Sequence, residues 1–170
     1  MSYIVFGGGC FWGVEAYFKQ VNGVTKTTVG YTGGNVDFPT YEEVSSGRTN
    51  HAEVIKIEYE EKKTSINTLL EHLFNIIDPT LVNQKEDDIG SQYRSGIYYT
   101  NSSQKLEVYN FIKSVKKFYK NKLKIEICSL QEFWEAEEFH QNYVNKFLKS
   151  IIYSLERMKL DIAILRRTTT

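Results

Sequence analysis

The chain has few cysteines, few prolines and no excess of charge. Its 170 residues include two Cys and two Pro, and 21 basic and 21 acidic side chains cancel to a formal net charge of zero. Two cysteines so far apart in the chain cannot build a disulfide scaffold, so we expect a reducing, cytoplasmic location. The balanced charge removes the main electrostatic reason to propose a nucleic-acid or membrane partner. No apolar run approaches the ~20 residues of a spanning helix, and the start lacks the features of a signal peptide.

The composition is that of a folded protein. Apolar residues make up 41% of the chain, charged residues 25% and aromatic residues 14%, with 12 Tyr and 10 Phe. Such a balance is typical of a globular domain with a sizeable core. The length, and the absence of repeats or linkers in the sequence, predict one domain over residues 1–170.

Strands and amphipathic helices follow one another without a regular βαβ period, which predicts an α+β fold. Apolar residues two positions apart indicate the strands, and apolar residues at helical spacing indicate the helices. The predicted strands cover residues 3–6, 24–31, 53–59, 97–99 and 123–128. The predicted helices cover residues 10–20, 66–77, 106–115 and the chain from 137 onward, with loops at 35–50 and 80–95.

The most informative segment is Phe6-Gly-Gly-Gly-Cys-Phe-Trp-Gly-Val-Glu. A strand ends there, three glycines turn the chain, and a helix begins at or near Cys10. The backbone N–H groups and the dipole at a helix N-terminus favour a thiolate. The residues alone leave two interpretations open, a reactive thiol or a buried structural cysteine. The glycines fit neither of the common phosphate-binding templates.

The chain resembles the A-type peptide methionine sulfoxide reductases in the segment Gly9-Cys-Phe-Trp-Gly, which matches their active-site signature. The resemblance continues in family order over roughly residues 3–143. It implies a two-layer α+β sandwich with a mixed sheet, flanking helices and the catalytic Cys at the start of the first helix. The further matching blocks are Tyr31-Thr-Gly-Gly, Pro39-Thr-Tyr-Glu-Glu-Val, His51-Ala-Glu-Val, Asp78-Pro-Thr, Gly90-Ser-Gln-Tyr-Arg-Ser-Gly-Ile-Tyr-Tyr and Ala136-Glu-Glu-Phe-His-Gln.

The resemblance implies thiol-dependent reduction of methionine S-sulfoxide, free or in proteins, as protein repair under oxidative stress. Cys10 matches the nucleophile, whose thiolate attacks the sulfoxide sulfur and takes up the oxygen as a sulfenic acid. Glu53 matches the acid that protonates the sulfoxide oxygen, since burial in an apolar pocket favours a neutral carboxyl group. Without the resemblance, Glu53 would be interpreted as a solvated strand residue.

The resemblance also implies five substrate-binding residues. Tyr41 and Tyr93 match two hydroxyl donors, whose hydrogen bonds would strengthen as negative charge builds on the sulfoxide oxygen. Asp88 matches an acidic residue that orients the substrate or a bound water. Phe11 and Trp12 match the apolar wall that receives the S-methyl group. No cofactor is expected, and two Cys and three His at no ligand spacing do not predict a metal site.

The chain departs from the family in its resolving cysteines. Many members carry one or two in the C-terminal tail, whereas this tail has none and predicts an amphipathic helix from about 144. Position 45, a cysteine in many relatives, is Ser45. Cys128 lies on an apolar alternating segment, so we expect it to be a buried core residue. The tail helix could cover an edge of the core or form a dimer surface, and the sequence does not choose.

We therefore expect a one-cysteine enzyme that acts as a monomer. Its sulfenic acid would be reduced by an external thiol, either thioredoxin or glutathione with glutaredoxin. Two other functions stay open on the residues alone. A cysteine hydrolase would use His51 or His140 as a base for Cys10, although the resemblance assigns neither histidine to catalysis. A binding module with an aromatic groove for methionine-containing peptides would not need Cys10.

Overall fold

Six strands of the chain form one sheet. The computed structural model describes residues 2–85 and 88–168, with the backbone alone at 84, 85, 88 and 156–168. The strands are β1 (Ser2–Gly7), β2 (Val24–Thr32), β3 (Ala52–Tyr59), β4 (Gln84–Lys85), β5 (Asp88–Ile89), β6 (Gly96–Tyr99), β7 (Glu126–Ser129) and β8 (Trp134–Glu135). The sheet order is β7-β6-β1-β3-β2-β8, and β4 pairs with β5 separately. Only the β6–β7 pair of this sheet is parallel, so the sheet is mixed.

Helices cover one face of the sheet and enclose the main core. They are α1 (Phe11–Phe18), α2 (Tyr41–Ser45), α3 (Ile66–Ile76) and α4 (Ser102–Val115), and a fifth helix, α5 (Tyr143–Thr168), follows with side chains that are exposed over 145–155. Buried side chains of α1, α3 and α4 pack in one cluster with alternate strand residues such as Phe6 and Ile55. The expected α+β sandwich with a mixed sheet is confirmed.

The other face of the sheet carries a smaller cluster. Successive side chains of a strand point to opposite faces. Ile55 therefore packs in the main core, and its neighbour Val54 packs on the second face. Cys128 and Phe133 lie against this second cluster. The buried residues of the second cluster are Val5, Ala52, Val54 and Tyr98.

Regular elements interrupt both predicted loops. In the segment 35–50, the Thr40 hydroxyl accepts a hydrogen bond from the Glu43 N–H, and the Glu43 carboxylate accepts one from the Thr40 N–H. This capping box starts α2. The helix has five residues, which are too few for the spacing of apolar residues to reveal it. The segment 80–95 contains the β4–β5 pair and a 3₁₀ turn at Ser91–Tyr93.

The helical tail begins at Tyr143 and not at 137. Residues Glu138–His140 form a 3₁₀ turn, and Asn142 has a φ of 56°, a left-handed conformation that interrupts a helix. The start of α5 is therefore close to the expected 144. Neither this helix nor any other within residues 2–85 and 88–168 combines the length and apolarity needed to cross a bilayer.

Candidate active site

Cys10 lies at the N-cap of α1, where the sequence predicts a helix to begin. The chain turns at Gly9, whose φ of 91° is a conformation that favours glycine. The Cys10 carbonyl accepts a hydrogen bond of 3.4 Å from the Val14 N–H, so the first helical turn closes directly behind it. The half-buried thiol is thus attached at the positive end of the helix, which favours a thiolate.

The carboxyl group of Glu53 reaches the same end of α1. Glu53 is 1% exposed, on the face of β3 that carries the main core. Its Oε2 accepts a hydrogen bond of 3.0 Å from the Phe11 N–H, the amide of the peptide bond that joins Cys10 to Phe11.

Three of the expected site residues form one aromatic cluster. The ring centroid of Tyr41 lies 6.2 Å from that of Phe11 and 6.1 Å from that of Trp12, and both pairs are nearly parallel. Phe11 is buried, whereas Trp12 and Tyr41 are half-buried. Because Phe11 and Trp12 directly follow Cys10, the cluster adjoins the thiol. Such a wall can receive a small apolar group such as a methyl group.

Glu137 accepts hydrogen bonds from Tyr41 of this cluster and from a second tyrosine, Tyr31. Its Oε1 accepts a hydrogen bond of 2.8 Å from the Tyr41 N–H, and its Oε2 accepts one of 2.9 Å from the Tyr31 hydroxyl. Burial raises the pKa of Tyr31, and the bond to Glu137 raises it further. Partial burial also raises the pKa of Glu137, but hydrogen bonds from backbone N–H groups and from Tyr31 outweigh this effect and lower it. Glu137 is therefore an anion that fixes both residues.

His140 packs between the rings of the cluster. Its Nδ1 accepts a hydrogen bond of 3.1 Å from Trp12 Nε1–H, and its ring lies 4.3 Å from that of Tyr41 and 5.6 Å from that of Phe11. Burial lowers the pKa of His140, against the opposite effect of the Glu137 carboxylate. A neutral ring therefore accepts the bond from Trp12, so His140 supports the wall.

His51 also uses both ring nitrogens in hydrogen bonds to the backbone. It is buried, its Nδ1 accepts a bond of 3.0 Å from the Gly34 N–H, and its Nε2 donates one of 2.7 Å to the Val36 carbonyl. A cysteine hydrolase needs an imidazole nitrogen that faces the sulfur. The hydrogen bonds that His51 and His140 make to other groups do not favour a cysteine hydrolase. The described residues also contain no group of three His, Cys, Asp or Glu side chains that could hold a metal ion.

Tyr93 is the last residue of the 3₁₀ turn. This turn lies beside the ends of the strands that carry the site residues. A Cβ added at Gly7 would lie 2.9 Å from the Arg94 carbonyl oxygen and 3.5 Å from that of Glu53. The backbone after Tyr93 therefore passes closely over the ends of β1 and β3, and only a glycine at position 7 permits this approach. Asp88 belongs to β5, and its side chain lies outside the described part of the chain.

Cys128 is separated from Cys10 by the sheet. It packs with Val54 and Tyr98 on the second face, whereas α1 covers the face of the main core. Burial raises the pKa of the Cys128 thiol, and the Glu126 carboxylate raises it further. Cys128 packs against the second cluster but is only half-buried, so the expectation of a buried core residue is wrong in the degree of burial. The reason is that β7 is an edge strand, which leaves the side chain partly uncovered.

Three residues without a role in the sequence interpretation support the site: Tyr31, Glu137 and Tyr143. Tyr31 and Glu137 each lie in a sequence block that matches the family, and this match was the signal by which they could have been found. The ring of Tyr143 stacks on Trp12 with centroids 4.0 Å apart and an angle of 15°. No pattern in the sequence indicates this contact, because it depends on the turn between residue 137 and α5.

Solved methionine sulfoxide reductases of the A type share this fold. The methionine sulfoxide reductase A of Corynebacterium diphtheriae superposes with a TM-score of 0.82 at 31% identity, over 85% of this chain and 74% of that chain. Mxr1 from Saccharomyces cerevisiae in its reduced form superposes with a TM-score of 0.81 at 30% identity, over 85% and 84%. The class of protein is therefore an A-type methionine sulfoxide reductase.

Sequence comparison leads to the same class. A family model described as peptide methionine sulfoxide reductase matches residues 2–167. The peptide methionine sulfoxide reductase MsrA of Mycoplasma genitalium is 46% identical over 146 residues, which are 86% of this chain and 93% of that relative. The MsrA of Alkaliphilus metalliredigens is 47% identical over 146 residues, 86% and 92% of the two chains.

The chain belongs to the peptide methionine sulfoxide reductase family. It is an oxidoreductase that reduces methionine sulfoxide to methionine, so the activity expected from the resemblance is confirmed.

Proposed function

We propose that Cys10 is the nucleophile of this reduction and that Glu53 is its acid. The observation that carries the proposal is the hydrogen bond from the Phe11 N–H to Glu53, which holds a buried carboxyl group at the peptide bond that follows Cys10. The reaction needs both groups, because the sulfoxide oxygen is a poor leaving group until it is protonated. The positive end of α1 supports the thiolate, and the thiolate in turn keeps the proton on Glu53.

The first step then transfers one oxygen atom. The Cys10 thiolate attacks the sulfoxide sulfur while Glu53 gives its proton to the oxygen. The attack forms a bond between the two sulfur atoms. The protonated oxygen then bonds to the Cys10 sulfur as its bond to the methionine sulfur and the S–S bond break, so methionine leaves and Cys10 becomes a sulfenic acid. The methionine sulfur gains two electrons and the Cys10 sulfur loses two, so the step balances without a cofactor.

The aromatic cluster holds the substrate during this step. Phe11 and Trp12 receive the S-methyl group, and their nearly parallel packing with Tyr41 supports this role. The hydroxyl groups of Tyr41 and Tyr93 donate hydrogen bonds to the sulfoxide oxygen as its charge grows. Asp88 orients the substrate or a bound water. We also propose that the enzyme prefers the S epimer of methionine sulfoxide, as the family resemblance implies.

The second step uses an external thiol. The position of Cys128 on the second face of the sheet supports a one-cysteine enzyme, because α1, which begins at Cys10, packs on the opposite face. One external thiol attacks the sulfenic acid, releases water and forms a mixed disulfide, and a second thiol group then releases Cys10 as a thiol. The proposed reductant is thioredoxin, or glutathione with glutaredoxin. We further propose that the enzyme acts in the cytoplasm as a monomer. Yeast Mxr1 has been solved in complex with Trx2, a precedent for thioredoxin.

A single turnover without reductant tests the proposal. Reduced enzyme is mixed with methionine S-sulfoxide, and methionine and the mass of the enzyme are measured. We expect one methionine for each enzyme molecule and an added oxygen of about 16 Da on the Cys10 peptide. Cys10→Ser should give neither product. Methionine formation by Cys10→Ser, or the added oxygen on another residue, would refute the role of Cys10.

A further inference from the structure

The tail helix reaches the active site through Tyr143. The Trp12 ring donates its Nε1–H to His140, whose ring centroid lies 5.6 Å away at 19°, and it stacks on the Tyr143 ring with centroids 4.0 Å apart at 15°. Tyr143 is the first residue of α5. The tail helix therefore starts on the wall that we propose for the S-methyl group, so its neighbours lie at the border of the substrate site.

Two exposed aromatic side chains extend this wall outward. Phe139 packs edge-on against Tyr143 at 5.5 Å, and the Phe147 ring is parallel to that of Tyr143 at 6.2 Å. Phe139 is 67% exposed and Phe147 is 54% exposed. We call Phe139, Tyr143 and Phe147 the aromatic shoulder. A contiguous exposed apolar surface of this kind usually marks a place where another molecule binds.

The shoulder is held in place before anything binds. Lys146 Nζ donates hydrogen bonds to the Glu138 carbonyl at 2.9 Å and to its carboxylate at 3.2 Å. These bonds tie the turn that carries Phe139 to the helix that carries Phe147. A surface ordered in advance loses little conformational entropy when it binds a partner.

The occupant that fits best is the substrate chain itself. The shoulder continues the aromatic wall, and the ring distances of 4.0 Å and 6.2 Å place Phe147 within about three extended residues of Trp12. A side chain that flanks the oxidised methionine in a polypeptide can therefore reach it. The rings offer a large apolar contact area, which suits an apolar or aromatic side chain.

We infer that the aromatic shoulder binds an apolar side chain next to the methionine sulfoxide of a polypeptide substrate and so gives the enzyme a preference for oxidised apolar segments. This inference rests on the proposed function of Cys10 and its aromatic wall. It assigns a role to the start of the tail helix, which the sequence left open between two other roles.

The test compares kcat/KM for three substrates: N-acetylmethionine sulfoxide, a short peptide with Phe two residues from the methionine sulfoxide, and the same peptide with Ser in place of Phe. The wild type should prefer the Phe peptide to the Ser peptide by about five- to tenfold. The double variant Phe139→Ala/Phe147→Ala should lose this preference and keep the wild-type rate on N-acetylmethionine sulfoxide.

Tyr153→Ala is the matched control, because Tyr153 is 64% exposed on α5 and lies further from the site. It should keep the preference. Equal kcat/KM for the two peptides in the wild type, or an equal loss on all three substrates in the double variant, would overturn the inference. A sedimentation coefficient of the wild type that rises with concentration and falls in the double variant would also overturn it, since a second copy would then occupy the shoulder. Failure of the wild type to form a Cys10 sulfenic acid would instead refute the proposed function.

Discussion

The backbone N–H of Phe11 and the side chain of Glu53 form a hydrogen bond of 3.0 Å across 42 positions of the chain. One partner belongs to the first turn of α1 and the other to β3, one of the two central strands of the sheet. The bond therefore places a carboxyl group from β3 at the N-terminus of α1, where Cys10 is the N-cap residue. It accounts for how two distant residues can act on one sulfoxide group.

Glu53→Gln should separate proton donation from structure. The amide oxygen of Gln can still accept the bond from Phe11, but Gln cannot supply the proton that the sulfoxide oxygen needs. We expect the rate of methionine formation in a single turnover to fall by at least about 10²-fold, with little change in thermal stability. Rapid-quench measurement of methionine, together with thermal unfolding, checks this.

The control for this variant is Glu15→Gln. Glu15 is also buried, on α1, but its carboxylate accepts hydrogen bonds from Thr27 and from the Asn142 N–H. We expect a lower unfolding temperature and a single-turnover rate within about threefold of the wild type, because a lost structural bond affects folding more than chemistry. A Glu53→Gln enzyme that reacts as fast as Glu15→Gln would contradict the assignment of Glu53 as the acid.

Cys128→Ser should keep full turnover with an external thiol reductant. The sheet separates Cys128 from Cys10, and burial with the Glu126 carboxylate keeps its thiol protonated by raising its pKa. Steady-state rates with thioredoxin and with glutathione plus glutaredoxin check this. If the variant forms the sulfenic acid normally and then stops, Cys128 resolves the intermediate and the one-cysteine proposal is wrong.

Two substitutions of His140 should show that it supports the wall and does not act as a base. His140→Asn can still accept the hydrogen bond from Trp12, so kcat/KM should stay within about threefold of the wild type. His140→Phe keeps the ring packing but removes the acceptor, so kcat/KM should fall about tenfold, mainly through KM. A loss of activity in both variants beyond about 10³-fold would instead favour a catalytic imidazole.

The stability of the enzyme should fall in mild acid, partly through His140. Burial lowers the pKa of this histidine below its ordinary value of 6.5, so the unfolded chain binds the proton first as the pH falls. The contribution is therefore fully present above about 6.5 and is lost as the pH decreases from there toward the lower pKa of the folded state. Protonation at Nδ1 also removes the acceptor that Trp12 uses.

Urea unfolding at about pH 7.5 and about pH 5.5 measures this loss on both sides of the ordinary histidine value. His140→Asn has no group that titrates in this range at position 140, so it should lose less stability than the wild type. An equal loss in the two proteins would show that other groups cause the acid sensitivity.

The elements with a clear side-chain period could be predicted from the sequence. The strand at 53–59 and the helix that starts after Cys10 agree with β3 and α1. α2 was missed because its start depends on the side-chain bonds of Thr40 and Glu43 and not on periodicity. The helix predicted from 137 onward begins too early, because the left-handed backbone of Asn142 carries no apolar signal, whereas the tail helix expected from about 144 agrees with the start of α5 at Tyr143.

The amino-acid sequence by itself determined the α+β class, the cysteine at a helix start and the order of the family blocks, since each of these depends on residues close together in the chain. Only the tertiary structure decided that Glu53 meets the amide of Phe11, that Glu137 anchors Tyr31 and Tyr41, and that Cys128 lies behind the sheet. Those contacts join residues far apart in the chain. Their geometry follows from strand order and side-chain alternation in the folded sheet, which no local pattern contains.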